Sequence, residues 1–213
     1  MGLGTTDRLI KHLLNFRGKR LKRRYVVFES DDWGSERIPS KESLKKLESL
    51  GADINSNPFT RLDSLETGDD LTALHEVLRS FKDINGNNPV ITANIVTANP
   101  DYNKIRASGF TEYFFESTEN TYKGKRDCLD SLKLIKEGIS EGLFKPQLHG
   151  REHLNVSQWL SALQSGNRIV REAFNLGVFG IDLKQESMHR NNYMAAYYTL
   201  SDVEIEQAGG IVS

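Results

Sequence analysis

The stretch Tyr25-Val26-Val27-Phe28-Glu29-Ser30-Asp31-Asp32-Trp33-Gly34 joins four apolar residues to an acidic pair and a glycine. Tyr25 to Phe28 reads as a short buried strand, with the acidic cluster directly after it. A second stretch repeats that arrangement: Pro146-Gln147-Leu148 predicts a short strand, followed at once by His149-Gly150-Arg151-Glu152-His153. Between them, Val90 to Thr97 is rich in β-branched residues and predicts a strand that Asn99-Pro100 ends. Tyr113-Phe114-Phe115 and Val178-Phe179-Gly180-Ile181 predict two more. Strands of this kind separated by helical patterns imply an α/β fold with parallel strands and flanking helices.

The helical patterns lie between these strands. Asp7 to Phe16 carries Leu9, Ile10, Leu13 and Leu14 on one face. Ser40 is placed to cap a helix with the stripe Leu44, Leu47 and Leu50, and Gly51 supplies its stop. Asn55 to Glu66 is polar and loop-like. Asp69-Asp70 opens a helix carrying Leu71, Leu74, Leu78 and Phe81, ended at the Asn85-Gly86 turn. Arg126 to Glu141 carries Leu129, Leu132, Ile135 and Ile139. Asn155 caps a helix with Val156, Trp159, Leu160 and Leu163, broken near Ser165-Gly166-Asn167 and resumed with Ile169, Val170, Ala173 and Phe174. Ser201 to Glu204 forms a capping box for a last helix. Without a linker, a repeat or a low-complexity segment, residues 1–213 read as a single domain.

Composition narrows the function classes. Of 213 residues 38% are hydrophobic, enough for a globular core, and no apolar run approaches the ~20 residues of a membrane helix. The net charge of −1 makes no case for nucleic acid or an anionic membrane as partner. Cys128 is the single cysteine, which excludes an internal disulfide and fits a reducing, cytoplasmic location. Its helical setting suits a buried structural thiol. The basic run Arg17 to Arg24 reads as a solvated helix end. His12, His75 and His189 have no partner at ligand spacing.

Ligands of parallel α/β sheets sit at the C-terminal ends of the strands, where both polar clusters are expected. His149 and His153 are four apart, so one helical turn between them sets both imidazoles on one face. One carboxylate of the Asp31-Asp32 pair completes a two-His, one-carboxylate set that leaves positions open for water or substrate. The other aspartate is then free to move a proton. Trp33, beside them, suits either stacking on a sugar or a place in the core. A non-haem iron oxygenase uses the same ligand types, but in a different order and on a β-barrel.

At these residues the chain resembles the polysaccharide deacetylase family, the NodB-homology carbohydrate esterases. Its first motif, Thr-Phe-Asp-Asp-Gly, is matched by Asp31-Asp32-Trp33-Gly34, and its second, His-Ser/Thr-x-x-His, by His149 to His153. The resemblance implies a (β/α) barrel, Asp31 as catalytic base, and Asp32, His149 and His153 as ligands of a divalent metal, zinc in first place. It also implies removal of acetyl groups from a carbohydrate. Trp33 is interposed before Gly34, and Gly150 replaces the usual Ser or Thr. The later Arg-x-Pro-aromatic and Leu-x-His motifs are absent downstream; His189, after Ser187-Met188, does not match the latter. The expectation is therefore a partial barrel truncated at its C-terminus. Its uncovered strand edges favour a homo-oligomer. The alternative function is a catalytically incompetent carbohydrate-binding or scaffold protein.

Overall fold

Three strands lie parallel in the computed structural model, in the order β1-β2-β5. The strands in chain order are β1 (Phe28–Trp33), β2 (Ile91–Ile95), β3 (Ala98–Pro100), β4 (Phe115–Ser117) and β5 (Phe144–Leu148). The structure describes residues 18, 25–52, 54, 62–181, 193, 194 and 196. The helix expected over Asp7 to Phe16, the basic run, the capping box at Ser201, and His12 and His189 lie outside the described residues, as does most of the loop-like stretch from Asn55. Among the described residues no helix is long and apolar enough to cross a membrane.

The first strand sits later than the apolar tetrad suggests. The ladder begins at Phe28↔Ile91, because β2 has no residue paired below that point. Tyr25, Val26 and Val27 precede the sheet and are exposed, so hydrophobicity alone mislocated the strand. Glu29 to Trp33, expected after the strand, form most of it. Tyr113 to Phe115 is also shifted: β4 pairs antiparallel with β3 in a separate two-stranded sheet. Val178 to Ile181 is not a strand. It is a buried segment whose Phe179 N–H reaches the Arg37 carbonyl at 3.3 Å, so its apolar side chains fill a helical layer instead of a sheet edge.

Seven helices are described: α1 (Lys41–Ser49), α2 (Gly68–Ser80), α3 (Tyr102–Ala107), α4 (Thr118–Lys123), α5 (Ser131–Ser140), α6 (Val156–Gln164) and α7 (Arg168–Asn175). Ser40 caps α1 by accepting from the Ser43 N–H at 3.1 Å. Thr67 and Asp70 form a reciprocal capping box on α2. Asn155 caps α6, and after the turn at Ser165-Gly166, Asn167 caps α7. The expected helix from Arg126 is instead a 3-10 turn, Arg126–Cys128, followed by α5. Leu129, Phe81 and Ile139 face solvent.

Among the described residues, two apolar cores result. α2 and α5 pack Leu71, Leu78 and Ile135 with Phe144 and Ile91 of the sheet and with Leu143, just before β5. The second core joins α1, α6 and α7 through Leu47, Trp159, Leu163, Val170 and Phe174, with Val178, Phe179 and Ile181 among them. This second layer draws Ile38, Ile105 and Leu154 from the segments that follow β1, β3 and β5. It therefore anchors the loops at the strands' C-terminal ends, where the polar clusters lie.

Candidate metal centre

A strand normally sends neighbouring side chains to opposite faces. In β1 that alternation is broken. Ser30 pairs with Ala93 and Trp33 with Ile95, so Asp31 and Asp32 together stand opposite Asn94. Two residues against one is a β-bulge, a device that re-aims a side chain. Asp32 lies at φ 63°, in the left-handed region that aspartate enters more readily than most residues. Asp31 stays with Glu29: the Asn94 Nδ2 donates to Asp31 Oδ1 at 2.5 Å and to Glu29 Oε1 at 2.9 Å.

Asp32 Oδ1 faces the two histidines, 3.2 Å from His153 Nε2 and 3.6 Å from His149 Nε2. The imidazole rings are 4.7 Å apart between centroids. No helical turn brings them together, contrary to the reading of their spacing. The chain from His149 to His153 is irregular, and Gly150 turns it at φ 83°. Backbone bonds replace the helix. The His149 N–H donates to the Ile95 carbonyl at 2.9 Å, and the Thr97 and Ala98 N–H groups donate to the Arg151 carbonyl at 3.1 and 2.9 Å. The loop after β5 is thus hung on the end of β2.

The loop after β1 is pinned as well. Gly34 lies at φ 83°, and a Cβ there would stand 2.3 Å from Thr118 Cγ2. Its N–H donates to Glu66 Oε1 at 3.0 Å, and its carbonyl accepts from Asn99 Nδ2 at 2.8 Å. Asn99 Oδ1 also accepts from the Glu36 N–H at 2.8 Å. Tyr122 donates its hydroxyl to Glu66, whose carboxyl burial raises above the usual carboxylate range. Arg37 then turns back onto the site: one guanidinium nitrogen bonds Asp32 Oδ2, and the other lies 3.1 Å from Asp63 Oδ2.

Asp32, His149 and His153 therefore form a cluster that could hold a metal ion, one donor atom from each lying within 4.8 Å of the others. Asp32 Oδ1 and His153 Nε2 are buried and, among the described residues, have no hydrogen-bond partner. Buried polar atoms are normally satisfied, and a cation between these donors would satisfy both. The residues fit such a group.

Other residues settle elsewhere. Trp33 meets Phe144 edge-to-face at 5.1 Å and belongs to the sheet's helical core. Cys128 is buried, its thiol pushed up by burial. His75 is buried against Phe144. Asn94, Arg37, Glu66 and Asn99 shape the site without having been singled out in the sequence. Asn94 left a signal, being a polar residue inside a strand of β-branched ones. The other three act over loops whose course the sequence does not reveal.

Comparison of the chain with protein-family models, with curated proteins and with solved structures finds no match.

Proposed function

We propose that the chain is a metal-dependent hydrolase that removes acetyl groups from a carbohydrate. The observation that carries the reading is the convergence of Asp32, His149 and His153, donors from the ends of β1 and β5, with Asp31 beside Asp32 in the bulge. In the same reading the three parallel strands are a segment of a deacetylase-type (β/α) barrel, and the resemblance of Asp31-Asp32-Trp33-Gly34 and His149 to His153 to that family supports it.

Asp32, His149 and His153 would hold a divalent cation, and the mixed nitrogen and oxygen donor set suits zinc. When bound, the cation supplies Lewis-acid polarisation of the acyl oxygen and lowers the pKa of a water. Asp31 does the proton work. Its Oδ1 is engaged by Asn94, which leaves Oδ2 to take a proton from the attacking water. The acyl bond to the sugar nitrogen or oxygen breaks, acetate leaves, and the proton that Asp31 took from the water passes to the sugar's amine or hydroxyl, so that one water is divided between the two products.

The test is acetate release from acetylated chitooligosaccharide and acetylxylan by zinc-loaded protein. Asp31→Asn should keep zinc and lose turnover by roughly 10²–10⁴-fold, the usual worth of a general base. Asp32→Asn should lose zinc. Reversed behaviour of the pair sinks the assignment. Stoichiometric zinc with no turnover on either substrate moves the reading to a carbohydrate-binding protein.

A further inference from the structure

A metal-binding carboxylate works only if one oxygen is held facing its co-ligands. In this chain the other oxygen of Asp32 is occupied by a cation of the protein's own. One Arg37 guanidinium nitrogen bonds Asp32 Oδ2, and Oδ1 is left towards His149 and His153. We propose that Arg37 is the positioning residue of this metal centre and that Asp63 is the counter-charge that lets it serve there. The inference rests on the metal reading of the site given above.

An arginine against a metal ligand has two opposed effects. Its hydrogen bond orients the carboxylate and raises affinity, as partners behind metal ligands commonly do. Its positive charge repels the incoming ion and lowers affinity. The structure decides between them. The second guanidinium nitrogen lies 3.1 Å from Asp63 Oδ2, so the arginine is paired on both prongs. The side chains of Arg37, Asp32 and Asp63 are 12%, 22% and 27% exposed, which limits screening by water. Asp63 cancels the charge and Asp32 keeps the orientation. Only a planar fork spans two carboxylates in this way, which a lysine cannot do.

The surrounding chain is built for this arginine. Arg37 is placed by the Phe179 N–H, which bonds its carbonyl at 3.3 Å, and by Gly180. A Cβ on Gly180 would stand 2.9 Å from Arg37 Cβ and 3.1 Å from its Cδ. The buried segment Val178 to Ile181, which the fold does not use as a strand, thus gives the arginine stem its room.

The experiment is zinc titration of folded protein, with no turnover required. Arg37→Gln should weaken zinc binding roughly 10–100-fold, and Arg37→Lys should recover part of that loss. Added guanidinium should recover part of it in Arg37→Ala, an outcome that a general structural defect would not produce. Asp63→Asn should weaken binding too, by uncovering the arginine's charge. In the double variant the Asp63 substitution should add nothing to Arg37→Gln. Gly180→Ala, whose added Cβ meets the Arg37 side chain first, should weaken zinc binding by displacing the stem. If Arg37→Gln binds zinc as tightly as the wild type or more tightly, Arg37 is neutral or a competitor, and this inference falls while the metal centre stands. If the wild type itself binds no zinc, the metal centre falls and this inference with it.

Discussion

Two glycines close to the site separate conformational strain from steric exclusion. Gly150 and Gly34 share φ 83°, but among the described residues a Cβ on Gly150 meets nothing within 4 Å, while one on Gly34 would overlap Thr118. Gly150→Ala should therefore cost only the left-handed backbone term, about 1–2 kcal/mol. It should also loosen zinc binding by relaxing the turn that sets His149 against His153. Gly34→Ala adds an overpacking cost of about 1–3 kcal/mol. Chemical denaturation of both variants checks the order; equal losses would mean that Thr118 yields freely. At this scale the sequence was legible in residue type: Asp32, His149 and His153 are brought together as a cluster, though by an irregular loop and not by the helical turn that the His149–His153 spacing suggested. It was not legible where a partner arrives through a loop. Asn99 is 65 residues from the Gly34 carbonyl that it bonds, and Glu66 is 32 residues from the Gly34 N–H.

Secondary-structure elements follow the same division. The caps at Ser40 and Asn155 are local hydrogen bonds between residues three apart, so sequence alone reveals them; Asn167, read as part of a break, proves to cap α7 by the same bond. The bulge in β1 depends on pairing with β2, and no pattern within β1 announces it. Val178 to Ile181 has the composition of a strand but finds helices rather than a strand to pack against. Glu66 shows how the end of β1 is tied to α4. Its carboxyl accepts from the Gly34 N–H and the Tyr122 hydroxyl. Glu66→Ala leaves both donors without that acceptor, at about 1–3 kcal/mol for each buried group. Glu66→Gln keeps an acceptor oxygen. Burial raises the folded-state pKa of Glu66 above its ordinary 4.5, so the folded protein holds that proton more tightly than the unfolded chain. The stability this contributes is complete below 4.5 and is lost as pH rises through the folded value. Glu66→Gln should then gain on the wild type as pH rises over that interval, as urea midpoints at a series of pH values would show. A constant difference across the series would remove the carboxyl from the pH response.

On the scale of the whole molecule, the candidate centre is a cross-link between distant parts of the chain. Asp32 comes from the end of β1, and His149 and His153 come from the loop after β5; these are the two outer strands of the parallel sheet. β2 lies between them and holds both by hydrogen bonds, yet β1 and β5 do not touch as neighbours in the sheet. A cation on all three side chains would close the C-terminal end of the sheet over β2. The unfolded chain cannot pre-form a site whose donors are so far apart in sequence, so binding energy there becomes folding energy. An ion at about 100 times its dissociation constant stabilises the folded state by about 2.7 kcal/mol. Zinc should raise the melting temperature of metal-free protein by several degrees, on the scale of about 2–4 °C per kcal/mol for a chain of this size. Chelation should reverse the gain. His149→Ala and His153→Ala should each abolish the response while leaving the metal-free melting temperature nearly unchanged, since neither imidazole is part of an apolar core. A melting temperature indifferent to zinc, with less than one equivalent bound, would show that the three side chains meet without forming a metal centre. Asp31 would then lose the partner that its proposed proton transfer requires.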